Sequence, residues 1–77
     1  MVFPQPYADI YQERRRQDQK WGAQAHIPAV WLAILGEEVG EVCKALLEDK
    51  RADYRTELVH VAAVATAAIE AFDRGEV

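Results

Sequence analysis

One cysteine, Cys43, stands among the 77 residues of this chain. No intrachain disulfide can brace the fold, and a reducing cytoplasm is the expected setting. Proline and glycine are scarce, at three and four residues. Most lie near segment edges, which leaves the interior free to run in long helices. No segment approaches the roughly 20 apolar residues that span a bilayer. The N-terminal MVFPQPYADIY has neither the basic head nor the apolar run of an export signal, so no membrane partner is expected. A basic surplus is missing too. The formal net charge is -4, with no clustered basic surface beyond Arg14–Arg16, which argues against a nucleic-acid partner.

What is present is a globular composition, 51% hydrophobic and rich in alanine. It makes a single domain over residues 1–77, near the lower limit at which one chain buries a useful core. There is no internal repeat, low-complexity tract or interdomain linker. The punctuation predicts three helices. The first runs from about Pro6 to Lys20 and stops at Gly22. The second opens near Pro28 and reaches about Asp49. The third starts at Asp53, read as an N-cap, and runs to about Arg74, with Gly75 as its stop. DKRA, between the last two, is short enough to make them antiparallel neighbours. The expected fold class is therefore all-α, a three-helix chain containing an antiparallel helical hairpin.

Acidic residues interrupt the apolar faces of that hairpin. At roughly 100° per residue, Trp31, Leu35, Val42 and Leu46 share one sector of the second helix, and Glu38 falls inside it. Glu41 lies on the sector's edge, while Glu37 and Lys44 point to the far side. On the third helix, Tyr54, Val61, Val64, Ala68 and Phe72 form the sector. Glu57 falls in its middle and His60 on its flank. An isolated buried carboxylate costs several kcal/mol and tends to take up a proton. Facing carboxylates are worse unless a cation neutralises them, and hard divalent ions such as magnesium suit oxygen donors. Two readings stand side by side: an acidic metal site between the helices, or a hairpin end open to water. With the turn at residues 49–52, Glu41 is level with His60, and Glu38 lies further from the turn. Convergence of the acids then requires a shifted helix boundary or water-bridged ligands.

GEEVGEVCKALLE, followed by RTELVHVAAVATAAIEA, resembles the all-α MazG-type nucleoside triphosphate pyrophosphohydrolases, whose signature pairs E-x-x-E on one helix with E-x-x-D on the next. ERRRQDQKWG and AVWLAILGEEVGE upstream resemble the small MazG-like proteins of phages and mobile elements. Glu38 and Glu41 match the first motif, and Glu57 matches the glutamate of the second. His60 stands where the family has aspartate, and is left as a metal ligand, a neighbour of a ligand, or a bystander. The resemblance implies metal-dependent hydrolysis of (deoxy)nucleoside triphosphates to monophosphate and pyrophosphate. Water attacks the α-phosphorus in that reaction, and Mg2+, or Mn2+ given the imidazole, is the cofactor. Glu38, Glu41 and Glu57 would hold the ions, and Glu37 would serve as a further ligand or as a base. The alternative is a non-catalytic nucleotide-binding or assembly module whose metal site has decayed. The family usually carries one more C-terminal helix, so the resemblance implies a short member or a fragment.

The first helix shows a stripe that begins apolar, with Tyr7, Ile10 and Tyr11, and passes through Arg14, Gln17 and Asp18 to Trp21. Such a stripe fits a pocket wall. Trp21 either stacks on a base or caps the core, and Arg14 or Lys20 meets phosphate oxygens or stays solvated. Gln17 and the loop residue His26 complete the candidate substrate contacts. Cys43 is expected to pack at the edge of its helix's apolar sector. LVHVAAVATAAI in the third helix is apolar nearly all round, which three helices of this length cannot enclose. A homodimer or larger homo-oligomer with a four-helix-bundle core, two helices from each chain, is therefore expected.

Overall fold

The computed structural model describes residues 4–76, and among them every regular element is a helix. Helix α1 spans Gln5–Trp21, α2 Pro28–Leu47 and α3 Arg51–Asp73. Pro6 and Pro28 occupy first-turn positions, where the missing N–H costs no helical bond. Gly22 closes α1 with φ 72 and donates its N–H to the Asp18 carbonyl at 2.8 Å. At the end of α3, Gly75 takes φ 78, and the next N–H, that of Glu76, reaches back to the Ala71 carbonyl at 2.9 Å. This six-residue closure is a Schellman turn, and glycine enters its left-handed position without a steric cost.

The α2–α3 turn departs from the expected boundaries. Helix α2 ends at Leu47 rather than Asp49, and α3 begins at Arg51, with Lys50 rather than Asp53 at the N-cap. The cause is a second Schellman turn. The Lys50 N–H bonds the Ala45 carbonyl at 2.9 Å and the Asp49 N–H bonds that of Leu46 at 3.2 Å. Asp49 is the one described non-glycine residue with positive φ, at 54. Its carboxylate also sits at a helix C-terminus, where the dipole disfavours negative charge. Asp53 lies instead in the first turn of α3, where its charge opposes the positive end of the dipole.

Helix α3 is central. It packs on α2 in the antiparallel hairpin and on α1 along another face, whereas the bodies of α1 and α2 do not pack on each other. The paired positions Asp9–Arg55 and Arg14–Glu70 advance together along the chain, so α1 runs parallel to α3. Alanine makes this double packing possible. Ala63 and Ala71 are fully buried, and Ala71 joins Trp31, Val64 and Ala67 in the core cluster, with Ile34, Leu35 and Ala68 against it. Leu46, Tyr54 and Phe72, expected in the core sector, are exposed, and so is Cys43. These four sit on the side of the hairpin that no third helix covers.

Arg14 is the described polar residue that the fold buries. Its Nε donates to Glu70 Oε1 at 2.6 Å, Nη1 to Gln17 Oε1 at 2.9 Å and Nη2 to Asp18 Oδ1 at 2.9 Å. Arg55 adds a 2.7 Å ion pair to Asp9. Arg14 is the one buried residue of α1, so these ion pairs form a prominent part of its attachment to α3.

Two stability changes are expected. Asp49→Gly, which relieves the left-handed strain, should raise unfolding free energy by about 1 kcal/mol in a denaturant titration. Arg14→Met should lower it by about 1–2 kcal/mol, less than for a fully buried pair because Glu70 and Asp18 regain water.

Candidate metal centre

The three-residue turn sets the register of the hairpin. Glu38 lies nine residues before Leu47, and His60 lies nine after Arg51, so they are level; Glu41 and Glu57, six residues from the same ends, are level one turn nearer the loop. The turn lies earlier in the chain than residues 49–52, with α2 ending at Leu47 and α3 starting at Arg51, so Glu38 is level with His60 while Glu57 stays one turn nearer the loop. Glu38, Glu57 and His60 now converge, each offering a ligand atom, and these atoms lie within 4.8 Å of one another. His60 Nδ1 is 3.2 Å from Glu57 Oε2 and 3.8 Å from Glu38 Oε2. A carboxylate only accepts, so Nδ1 is the donor to an ionised Glu57.

Helix α1 contributes a residue that the sequence pattern did not single out. Glu13 Oε1 lies 3.9 Å from His60 Nε2, on the opposite edge of the ring, and only 11% of the Glu13 side chain is exposed. Arg16 clasps Glu13 through two bonds of 2.8 and 2.7 Å, and Gln17 Nε2 adds a third at 3.3 Å. The imidazole is thus set among three carboxylates, one from each helix or turn that reaches it. The available signal was that Glu13 stands three residues after Ile10 and four before Gln17, along the edge of the α1 stripe.

These environments separate the acids. The Arg16 hydrogen bond holds the Glu13 carboxyl below the ordinary glutamate value; burial opposes this, and the charges of Arg16 and His60 add to it. Glu38 moves the other way. Burial pushes it up, and the neighbouring carboxylates of Glu57, Glu41 and Glu13 push in the same direction against His60. An ionised Glu38 therefore carries a cost that His60 relieves only in part and that a cation could remove.

The other expected site residues fall in three groups. Glu41 is exposed one turn from Glu38 and lies outside the converging group, and Glu37 is exposed on the far side of α2. Arg14 and Gln17 are tied into the α1–α3 pairing already described. They line, with Asp18, Trp21 and Trp31, a cavity of about 40 Å³ that lies towards the open end of the hairpin. Trp31 begins two helical turns, about 10 Å, before Glu38 on α2. It is buried, and its Nε1 has no hydrogen-bond acceptor. Trp21 is exposed with the Lys20 ammonium 4.6 Å above its ring, and His26 packs edge-on against Trp31 at 4.8 Å. Glu13, Gln17 and Arg14 form a polar chain from the acids towards this aromatic end.

Comparisons with family models, curated proteins and solved structures gave no match.

The direction of the Glu38 shift has a measurable consequence. A carboxyl raised by folding favours the folded state below its unfolded value and loses that contribution as pH rises through the folded value. At pH 7 in a chelator, Glu38→Gln should therefore melt above the parent protein. The difference should close as pH is lowered below the ordinary carboxylate range.

Proposed function

We propose that the protein hydrolyses nucleoside or deoxynucleoside triphosphates to monophosphate and pyrophosphate with a divalent cation, and that Glu38, Glu57 and His60 hold the ion. The observation that carries this reading is the convergence of those three side chains between α2 and α3, with ligand atoms within 4.8 Å of one another. The MazG-like pattern of E-x-x-E and E-x-x-H on the same two helices points to the same chemistry.

The donors fit a cation. Two carboxylates oppose each other across α2 and α3, one of them already raised by burial and by its neighbours. The third donor is nitrogen, which suits manganese better than magnesium. Bound there, the ion supplies charge neutralisation on the phosphates and polarises the attacking water. The chain's own groups do the rest. Glu38 and Glu57 would hold the ion against the hairpin, and Glu41, exposed one turn away, would reach it only through water. Glu13, kept ionised by Arg16, orients the outer edge of the imidazole. Arg14 acts by holding α1 in place rather than by touching phosphate, since all three of its donating nitrogens are engaged. The aromatic end, about 10 Å away, suits a base, with exposed Trp21 as the stacking surface and Lys20 beside it. In this reading the protein works in the cytoplasm as a homo-oligomer, with hairpins from two chains forming a four-helix bundle.

Release of pyrophosphate from a panel of nucleotides should be detected with Mn2+ and more weakly with Mg2+. Glu38→Gln and Glu57→Gln should each abolish it, and His60→Asp should shift the preference towards Mg2+. Nucleotide binding by calorimetry without release under either metal would favour the binding-module alternative, for which His60 in place of aspartate is the specific support. Neither binding nor release would remove both readings.

A further inference from the structure

His60 meets the surrounding carboxylates through different edges of its ring. Nδ1 faces the hairpin, 3.2 Å from Glu57 Oε2 and 3.8 Å from Glu38 Oε2. Nε2 faces α1, where Glu13 Oε1 stands 3.9 Å away. A neutral imidazole carries one ring hydrogen, so one nitrogen donates and the other offers a lone pair. Nδ1 cannot keep its hydrogen for Glu57 and also bind a cation. For His60 to act as a ligand together with Glu38 and Glu57, the hydrogen must sit on Nε2. That nitrogen then needs an acceptor on the α1 side.

Glu13 has the features of that acceptor. Its pairing with Arg16 spans three residues of one helix, an arrangement common on solvated surfaces. Here the two partners are unequally exposed, with 11% of the Glu13 side chain open to solvent against 53% for Arg16. The acid, not the arginine, is turned inward towards the imidazole. Two charge-assisted bonds from Arg16 hold the carboxylate ionised and fix its orientation. Oε2 accepts from both Arg16 Nη2 and Gln17 Nε2, whereas Oε1 accepts from Arg16 Nε alone. The oxygen that faces His60 therefore keeps a free lone pair.

Among the described residues, no other carboxylate lies within 4 Å of Nε2. A separation of 3.9 Å is longer than a hydrogen bond, and a shift of about 1 Å closes it to the usual N–H···O length. The ring has space for that shift. A cleft of about 380 Å³ opens between α1 and α3, with Glu13, Arg16 and His60 in its wall. The contact that holds the ring on its present side is the 3.2 Å bond from Nδ1 to Glu57. That bond is given up when both groups serve one cation.

We infer that Glu13 is a positioning residue that selects the tautomer of His60: it accepts a hydrogen bond from Nε2, leaves Nδ1 as a bare donor towards Glu38 and Glu57, and so sets the centre's affinity for transition-metal ions. The inference rests on the ion site proposed above. A histidine whose far ring nitrogen donates to a carboxylate is a more basic ligand, and loss of such a partner weakens metal binding roughly 10–100-fold. Helix α1, which carries no proposed ligand, thus governs the nitrogen donor on α3.

Calorimetric titration of the full chain with Mn2+ should show binding that Glu13→Gln weakens by about tenfold or more. In a His60→Asp background the same change should alter Mn2+ affinity by less than about twofold, because residue 60 then has no ring to orient. Nitrogen-15 NMR of the parent protein with Zn2+, a diamagnetic probe, reads the ring without any variant. Nε2 should carry the hydrogen and Nδ1 none. An equal loss in both backgrounds makes Glu13 a mere charge near the site and overturns the inference. So does a hydrogen on Nδ1 in the Zn2+ form, or a Mn2+ affinity indifferent to Glu13; in each of these cases the ion site itself stands. No Mn2+ binding by the parent protein removes that site, and the inference with it.

Discussion

The opposition of Glu38 and His60 across the hairpin depends on a turn of three residues. A longer connection would slide one helix along the other and leave the acids at different heights. The short one is bought with an aspartate in a left-handed conformation, a position that glycine fills at the end of α3. Once the register is fixed, Glu38 cannot avoid its neighbours. It lies between helices, raised by burial and by three nearby carboxylates. The same geometry that crowds the carboxylates gathers donors of the kind a cation takes.

Around this register, α3 divides its circumference among separate tasks. One side, with Val64 and Ala71, receives α2; another, with Val59, Ala63 and Glu70, receives α1; the remaining side, Leu58 to Phe72, faces outward. Small side chains on the first two sides bring both neighbours near enough for His60 to meet Glu38 on one edge and Glu13 on the other. Packing and site are therefore one arrangement. The alanines that leave the core without a large fully buried side chain also bring three helices within reach of one imidazole.

Much of this was legible in the residues. Pro28, Gly22 and Gly75 mark helix limits by local backbone chemistry, and the wheel positions of Glu38 and Glu57 already placed both acids against the partner helix. What escaped were features set by tertiary packing. Asp53 has the chemistry of an N-cap, but the turn at Asp49 ended α2 early and started α3 before it. Glu13 was not singled out, and Arg14 read as a phosphate contact or a solvated residue. Only the angle at which α1 docks reveals that one is nearly enclosed beside His60 and the other buried on Glu70. Phe72 and Leu46 belong to the apolar sector by period, yet that sector is wider than one neighbouring helix covers.

The attachment of α1 has a kinetic side. It meets the rest of the molecule mainly through Arg14–Glu70 and Arg55–Asp9, and through a loop whose Gln24 carbonyl accepts from Arg74 at 3.2 Å. Ionic strength weakens such links while leaving the apolar hairpin almost untouched. Amide protons of α1 will consequently exchange with solvent through a local opening of lower free energy than the unfolding of α2 and α3. Such an opening would uncover the Nε2 edge of His60, which Glu13 faces at 3.9 Å, while the hairpin stays intact.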